Sequence, residues 1–121
     1  MLYTYVLKGQ CRRGKGGQQH MRTGQTYPTP AWAAWRDDIV FQLRRIHGHK
    51  PPIADLCKLY LVFTHGDKRQ RNIAGMMDAL MHCLERARVI TCDENIVAAD
   101  IQTNLPPCKA LAGVLLKVET L

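Results

Sequence analysis

From Tyr3 to Lys8 apolar and polar positions alternate, with Tyr3, Tyr5 and Leu7 on one side and Thr4, Val6 and Lys8 on the other, which predicts a first strand. The alternation stops at Gly9. Between Gly9 and Pro30 the chain is rich in glycine and has no apolar period, so a long loop is expected, of the kind that is either functional or disordered in so small a domain. Thr29-Pro30 then offers a cap followed by proline in a first turn. Apolar residues at Trp32, Trp35, Ile39, Val40, Leu43 and Ile46 recur at helical spacing, predicting a helix over Ala31–Ile46 with the tryptophans as core anchors. After Pro51-Pro52, the run Leu56–Thr64 reads as a buried second strand. A second helix is expected from Asn72 or Ile73 to Arg88, burying Ile73, Met76, Met77, Leu80, Cys83, Leu84 and Ala87. Asn95–Thr103 and Gly113–Glu119 complete the pattern as two strands, and the short connection around Pro106-Pro107 predicts that they pair antiparallel. The order β-α-β-α-β-β implies one α/β (α+β) domain over residues 1–121, with a single mixed sheet of about four strands carrying two helices.

Composition agrees with one domain. The chain has 121 residues, 46% of them hydrophobic, enough for one core and too few for two. No apolar run approaches the roughly 18 residues of a membrane span, and the N-terminal stretch lacks the shape of a signal peptide. A soluble cytoplasmic protein is therefore expected, without a membrane partner. Five scattered cysteines with no Cys-x-x-Cys pair argue against a zinc site or a disulfide framework, and Cys57 and Cys83 read as small core residues. His47-Gly48-His49 lacks a third nearby ligand and reads as solvated.

Charge adds a functional expectation. The net charge of +7 arises wholly within the first fifty residues, where nine Lys/Arg face only Asp37 and Asp38; the remainder carries eight of each sign. Lys8, Arg12, Arg13, Lys15 and Arg22 all precede the first acid. Such a surplus attracts polyanions through counterion release, which makes nucleic acid the expected partner; a solvated basic loop is the plainer alternative. Gly14-Lys15-Gly16-Gly17 is not a P-loop, because no Lys-Ser/Thr opens a helix after it.

The densest candidate chemistry lies in Asp67-Lys68-Arg69-Gln70-Arg71-Asn72-Ile73-Ala74-Gly75-Met76-Met77-Asp78-Ala79-Leu80 and, after a helix, Val89-Ile90-Thr91-Cys92-Asp93-Glu94-Asn95-Ile96. Basic residues stand at the mouth of the helix and acids at its far end. Together with Gly9, Arg13-Gly14-Lys15-Gly16, Tyr27-Pro28-Thr29-Pro30 and Trp35, these blocks resemble the RusA-type Holliday junction resolvases, over nearly the whole chain. In that family an Arg precedes Asp-x-Asp-Asn, a Lys follows one turn on, and the helix ends in Val/Ile-x-x-Asp-Asp. Here Asn72 stands in the first aspartate place, Ala74 in the second, Asp78 in the lysine place and Cys92 in the first place of the Asp-Asp pair, while Asp93 keeps its own.

The resemblance implies a RusA-like fold, a homodimer, and Mg²⁺-dependent (or Mn²⁺-dependent) endonuclease action on four-way or branched DNA in recombination and repair. It implies catalytic and metal-binding roles for Asp93, Asp78 and Asn72. DNA contacts would come from Arg12, Arg13, Lys15, Tyr27, Lys68, Arg69 and Arg71. Metal-assisted hydrolysis needs carboxylates converging on one point. Asn72 supplies an uncharged oxygen and Ala74 supplies nothing, so Asp78, one turn beyond Ala74 on the same helix face, is the expected replacement, with Asp67 and Glu94 at the rims. Asp78 reads equally as a surface acid pairing with His82 or Arg86. Three functions stay open: such a nuclease or its inactive descendant, a non-catalytic nucleic-acid-binding protein of phage origin, and a phage structural or regulatory protein whose basic patch meets another protein.

Overall fold

The structure, a computed structural model, describes residues 1–12, 18–20, 26–69, 71–104 and 107–121. Along the chain follow β1 (Leu2–Lys8), β2 (Gln18–His20), β3 (Thr26–Pro28), α1 (Pro30–His47), β4 (Cys57–Thr64), α2 (Ile73–Arg86), β5 (Ile96–Asn104) and β6 (Gly113–Thr120). Short 3-10 turns stand at Asp93–Asn95 and Lys109–Leu111. The expected order of four main strands and two helices is present. The glycine-rich loop additionally carries the β2–β3 ribbon, in which Gln19 pairs with Tyr27.

The main sheet runs β1-β6-β4-β5. β6 is antiparallel to both β1 and β4, and β5 is parallel to β4. The expected antiparallel pairing of β5 with β6 is therefore not formed; β6 crosses over and inserts between β1 and β4. Burial explains the exchange. β4 sends Cys57, Leu59, Leu61 and Phe63 into the core, and β6 sends Val114, Leu116 and Val118, whereas most of β5 is exposed and suits an edge.

Both helices cover one face of the sheet. Trp35, Ile39 and Leu43 of α1 and Met76, Leu80 and Leu84 of α2 meet Tyr5, Leu7, Leu59, Leu61, Phe63 and Leu116 in one core. Cys57 and Cys83 are buried within it, as expected. Ile46 and Ile73 depart from expectation and lie exposed, and Met77 is only half-buried, because each sits at the margin of its helix's apolar stripe. The opposite sheet face meets solvent: Val6 is exposed, and Lys58 pairs with Asp100 at 3.1 Å while lying over the Tyr60 ring.

Local chemistry sets the helix ends. Thr29 caps α1 by accepting the Trp32 N–H at 3.3 Å, Pro30 occupies the first turn, and Arg44, Arg45 and His47 complement the dipole at its end. α2 stops at Arg86, two residues short of expectation, because Arg88 turns left-handed at φ 61° and the Val89 N–H returns to the Leu84 carbonyl. Arg44 Nη2 donates to the Arg86 carbonyl at 3.2 Å, tying the C-terminal ends of the two helices together. Their N-terminal ends consequently fall on the same side of the molecule. Among the described residues no helix is long and apolar enough to cross a membrane.

Candidate functional site

Strand register brings the site's two loops together. Gly113 pairs with both Lys8, the last residue of β1, and Thr64, the last of β4, so the segments leaving these strands emerge side by side. A Cβ on Gly113 would run into the Leu7 carbonyl, which reserves this close approach for glycine. Gln42 of α1 clamps the end of β1, donating to the Lys8 carbonyl at 3.0 Å and accepting the Lys8 N–H at 2.8 Å.

Gln10 and Cys11 then stitch the two exits. Gln10 Oε1 accepts the Gly66 N–H at 2.7 Å, while its Nε2 reaches the Cys11 carbonyl and His65 Nδ1, each at 3.1 Å. His65 is buried, and burial, helped by the Arg71 charge, lowers its pKa; the neutral ring accepts from Gln10. The Cys11 thiol points at the Met76 carbonyl of α2 at 3.8 Å, and burial pushes that thiol up to about 12, making it a packing group.

On the β4 side, Asp67 organises the basic loop. Its Oδ1 accepts the Arg69 N–H at 3.0 Å and Arg71 Nη1 at 2.9 Å, and Arg71 Nη1 also reaches the Arg69 carbonyl at 3.2 Å. The Arg71 hydrogen bond holds the Asp67 carboxyl below its ordinary value. With its side chain 15% exposed, Arg71 is chiefly a brace, which revises the expectation that it grips DNA alongside its neighbours. Arg12 and Arg69 are exposed and remain the guanidinium groups presented outward.

Together these parts enclose a cleft of about 800 Å³. Arg12, Arg69 and Arg71 line it from the loops, Thr29, Trp32 and Trp35 from the start of α1, and Asn72 and Met76 from the start of α2. Neither helix has an acid in its first turn, so two uncompensated helix N-termini face the same space as three guanidinium groups. The cleft's own acids are already engaged: Asp67 with Arg71, and Asp38 with Gln42 at 3.0 Å. The charged groups of the lining are three guanidinium groups and the carboxylates of Asp38 and Asp67, a formal surplus of one positive charge.

The expected metal ligands do not join this site. Asn72 Oδ1 accepts the Gly75 N–H at 3.3 Å as the cap of α2, which engages one lone pair of the oxygen expected to meet the metal. Asp78 is exposed within α2, and no ion pair links it to His82 or Arg86. Asp93 lies beyond the other end of the helix. The fourteen residues of α2 rise roughly 21 Å at about 1.5 Å per residue, and the pairing of Ile96 with Cys57 puts the Asp93 turn beside the start of β4, whereas Asn72 follows its end. Cys92 Sγ lies 3.8 Å from Asp93 Oδ1, yet among the described residues no three His, Cys, Asp or Glu side chains gather as a metal group. Asn72 caps the start of α2, Asp78 lies within it and Asp93 stands in the turn beyond its end, so among the described residues the three do not converge and do not fit a resident Mg²⁺ within one chain.

Arg13 and Lys15 lie outside the described residues, and Tyr27 is placed by its backbone in β3. Lys68 is exposed on the loop beside Arg69. Sequence reasoning missed Trp32 and Trp35 as walls of the site, taking them only as core anchors. Their position in the first two turns after the Thr29 cap was the available signal. No known protein-family model matches this chain, and no curated protein does.

Proposed function

We propose that this chain is a structure-selective DNA-binding protein of the Holliday junction resolvase type, acting as a homodimer, whose cationic cleft holds the phosphate backbone near a branch point. The observation that carries this reading is the convergence of the exposed Arg12 and Arg69, the latter on a loop braced by Arg71, with two acid-free helix starts on one cleft. Guanidinium groups and the positive ends of helix dipoles are the groups phosphates select. Arg13 and Lys15 continue the basic run of the sequence beyond Arg12.

A gel-shift titration of a synthetic four-way junction against linear duplex of the same sequence tests this. Preference for the junction, falling steeply with salt, is the expected result. Failure to bind either DNA at low salt sinks the reading.

A second reading, Mg²⁺-dependent phosphodiester hydrolysis, has one observation in its favour. Asp93 keeps its place in the resembled motif, and it and Glu94 are exposed on one turn. Since the acids of one chain do not meet, this activity requires that a second protomer complete the site. Nicking of the junction in Mg²⁺ or Mn²⁺ that disappears in Asp93→Asn supports it. Intact binding without cutting leaves the first reading alone.

A further inference from the structure

The two edges of the main sheet are finished differently. At the end of β1 the edge is closed, because Gln42 of α1 takes both the N–H and the carbonyl of Lys8. β5 is nine residues long, and among the described residues no strand pairs with its outer side and no loop backbone hydrogen bond reaches Ala98–Asn104. Natural sheets blunt such an edge with proline, with lysine or by keeping the strand short. Ile96–Asn104 contains no proline, glycine or lysine, and its one charge, Asp100, is drawn back onto its own sheet by Lys58 at 3.1 Å. Ala99 shares the helix side of the sheet with its neighbour Leu59, yet it is exposed, so neither helix overhangs the edge there.

We propose that β5 is the surface on which two copies of this chain join, the two strands running antiparallel about a two-fold axis at Ile101 and merging the four-stranded sheets into one. This rests on the homodimer reading above and names its contact surface. The strand is complementary to itself in that register. The shift after Cys57 leaves Val97 without a partner on β4, so the regular part of β5 begins at Ala98, and it ends at Asn104. Ile101 is the midpoint of this part. An axis there pairs all of it: Ala98 with the partner's Asn104, Ala99 with the partner's Thr103, and Asp100 with the partner's Gln102. Moving the axis to Asp100 would set two carboxylates opposite each other, and moving it to Ala99 would draw the irregular Val97 into the ladder. Because the axis stands perpendicular to the sheet, both copies keep their helices on the same face. The two clefts, each at the exit of a β4, then open at opposite ends of the joined sheet.

The test is sedimentation of the unaltered protein, of Gln102→Lys and of Gln102→Asp over a series of concentrations without DNA. Gln102 is exposed, so both substitutions spare the core. The expected result is a concentration-dependent dimer that Gln102→Lys tightens about fivefold, since the new cation meets Asp100 twice across the axis, and that Gln102→Asp loosens about fivefold. A dimer that responds equally to both substitutions, or in the reverse order, would overturn this surface and leave the homodimer reading standing. A protein that stays monomeric at every concentration would overturn both and leave the edge to a strand of another protein.

Discussion

The two ends of α2 are charged differently. At its C-terminal end Arg86 complements the helix dipole beside Glu85, so the last turn carries both signs, and Asp93 and Glu94 follow after the chain has turned away. At its N-terminal end Lys68, Arg69 and Arg71 precede a first turn that contains no acid, so positive charge meets the positive end of the dipole. Among the described residues Asp67 relieves it, through its ion pair with Arg71. A helix built for stability would put its acids there. Local electrostatics here work against the helix, and an anion is the ligand class that would relieve the conflict, which is the ground of the DNA-binding proposal.

The largest expected effect tests what brings the cleft's two loops together. Gly113→Ala forces a Cβ against the Leu7 backbone and should cost roughly 3 kcal/mol, read as a lowered urea midpoint. Unchanged stability would show that the approach of β1 and β4 exits does not depend on this glycine.

Next comes the charge contrast itself. Arg69→Gln should weaken DNA binding about tenfold and lower the slope of log affinity against log salt by about 0.9, one phosphate contact. Arg86→Gln, at the other end of the same helix, should leave both unchanged. Equal losses at the two ends would erase the distinction.

A smaller effect is expected from pH. Burial lowers the pKa of His65 at the N-terminal side and of His82 within α2 from the ordinary 6.5. Below that value the unfolded chain binds protons that the folded chain refuses, so stability should decline as pH falls from 6.5 toward the lowered folded values. Thermal melts between neutral and mildly acidic pH measure this, and His65→Gln should remove part of the slope. A melting temperature that rises on acidification contradicts the assignment.

The smallest expected effect is at the acidic end. Asp93→Asn should leave junction binding within about twofold, because its carboxylate stands roughly a helix length from the cleft. A loss comparable to that of Arg69→Gln would place Asp93 in the DNA contact.

Most elements were legible because their signals are local. Alternation marked β1, the Thr29-Pro30 cap marked α1, and the apolar stripe from Met76 to Leu84 marked α2. The left-handed turn at Arg88 was not legible, since a non-glycine residue gave no warning of it. The site was half legible. The basic residues were identified by their clustering, but the same clustering did not separate Arg71, whose donors brace Asp67, from Arg69, which faces outward.

Periodicity, caps and the uneven distribution of charge reside in neighbouring residues, so the sequence alone was enough for the helices and the strands and for the expectation of a polyanionic partner. Which residues meet was another matter. The insertion of β6 between β1 and β4, and the parallel pairing that carries Asp93 to the far end of the sheet, arise from competition among strands for burial across the whole chain. That competition is long-range, and it alone brought Arg12, Arg69 and two buried tryptophans to one cleft while leaving the acids apart.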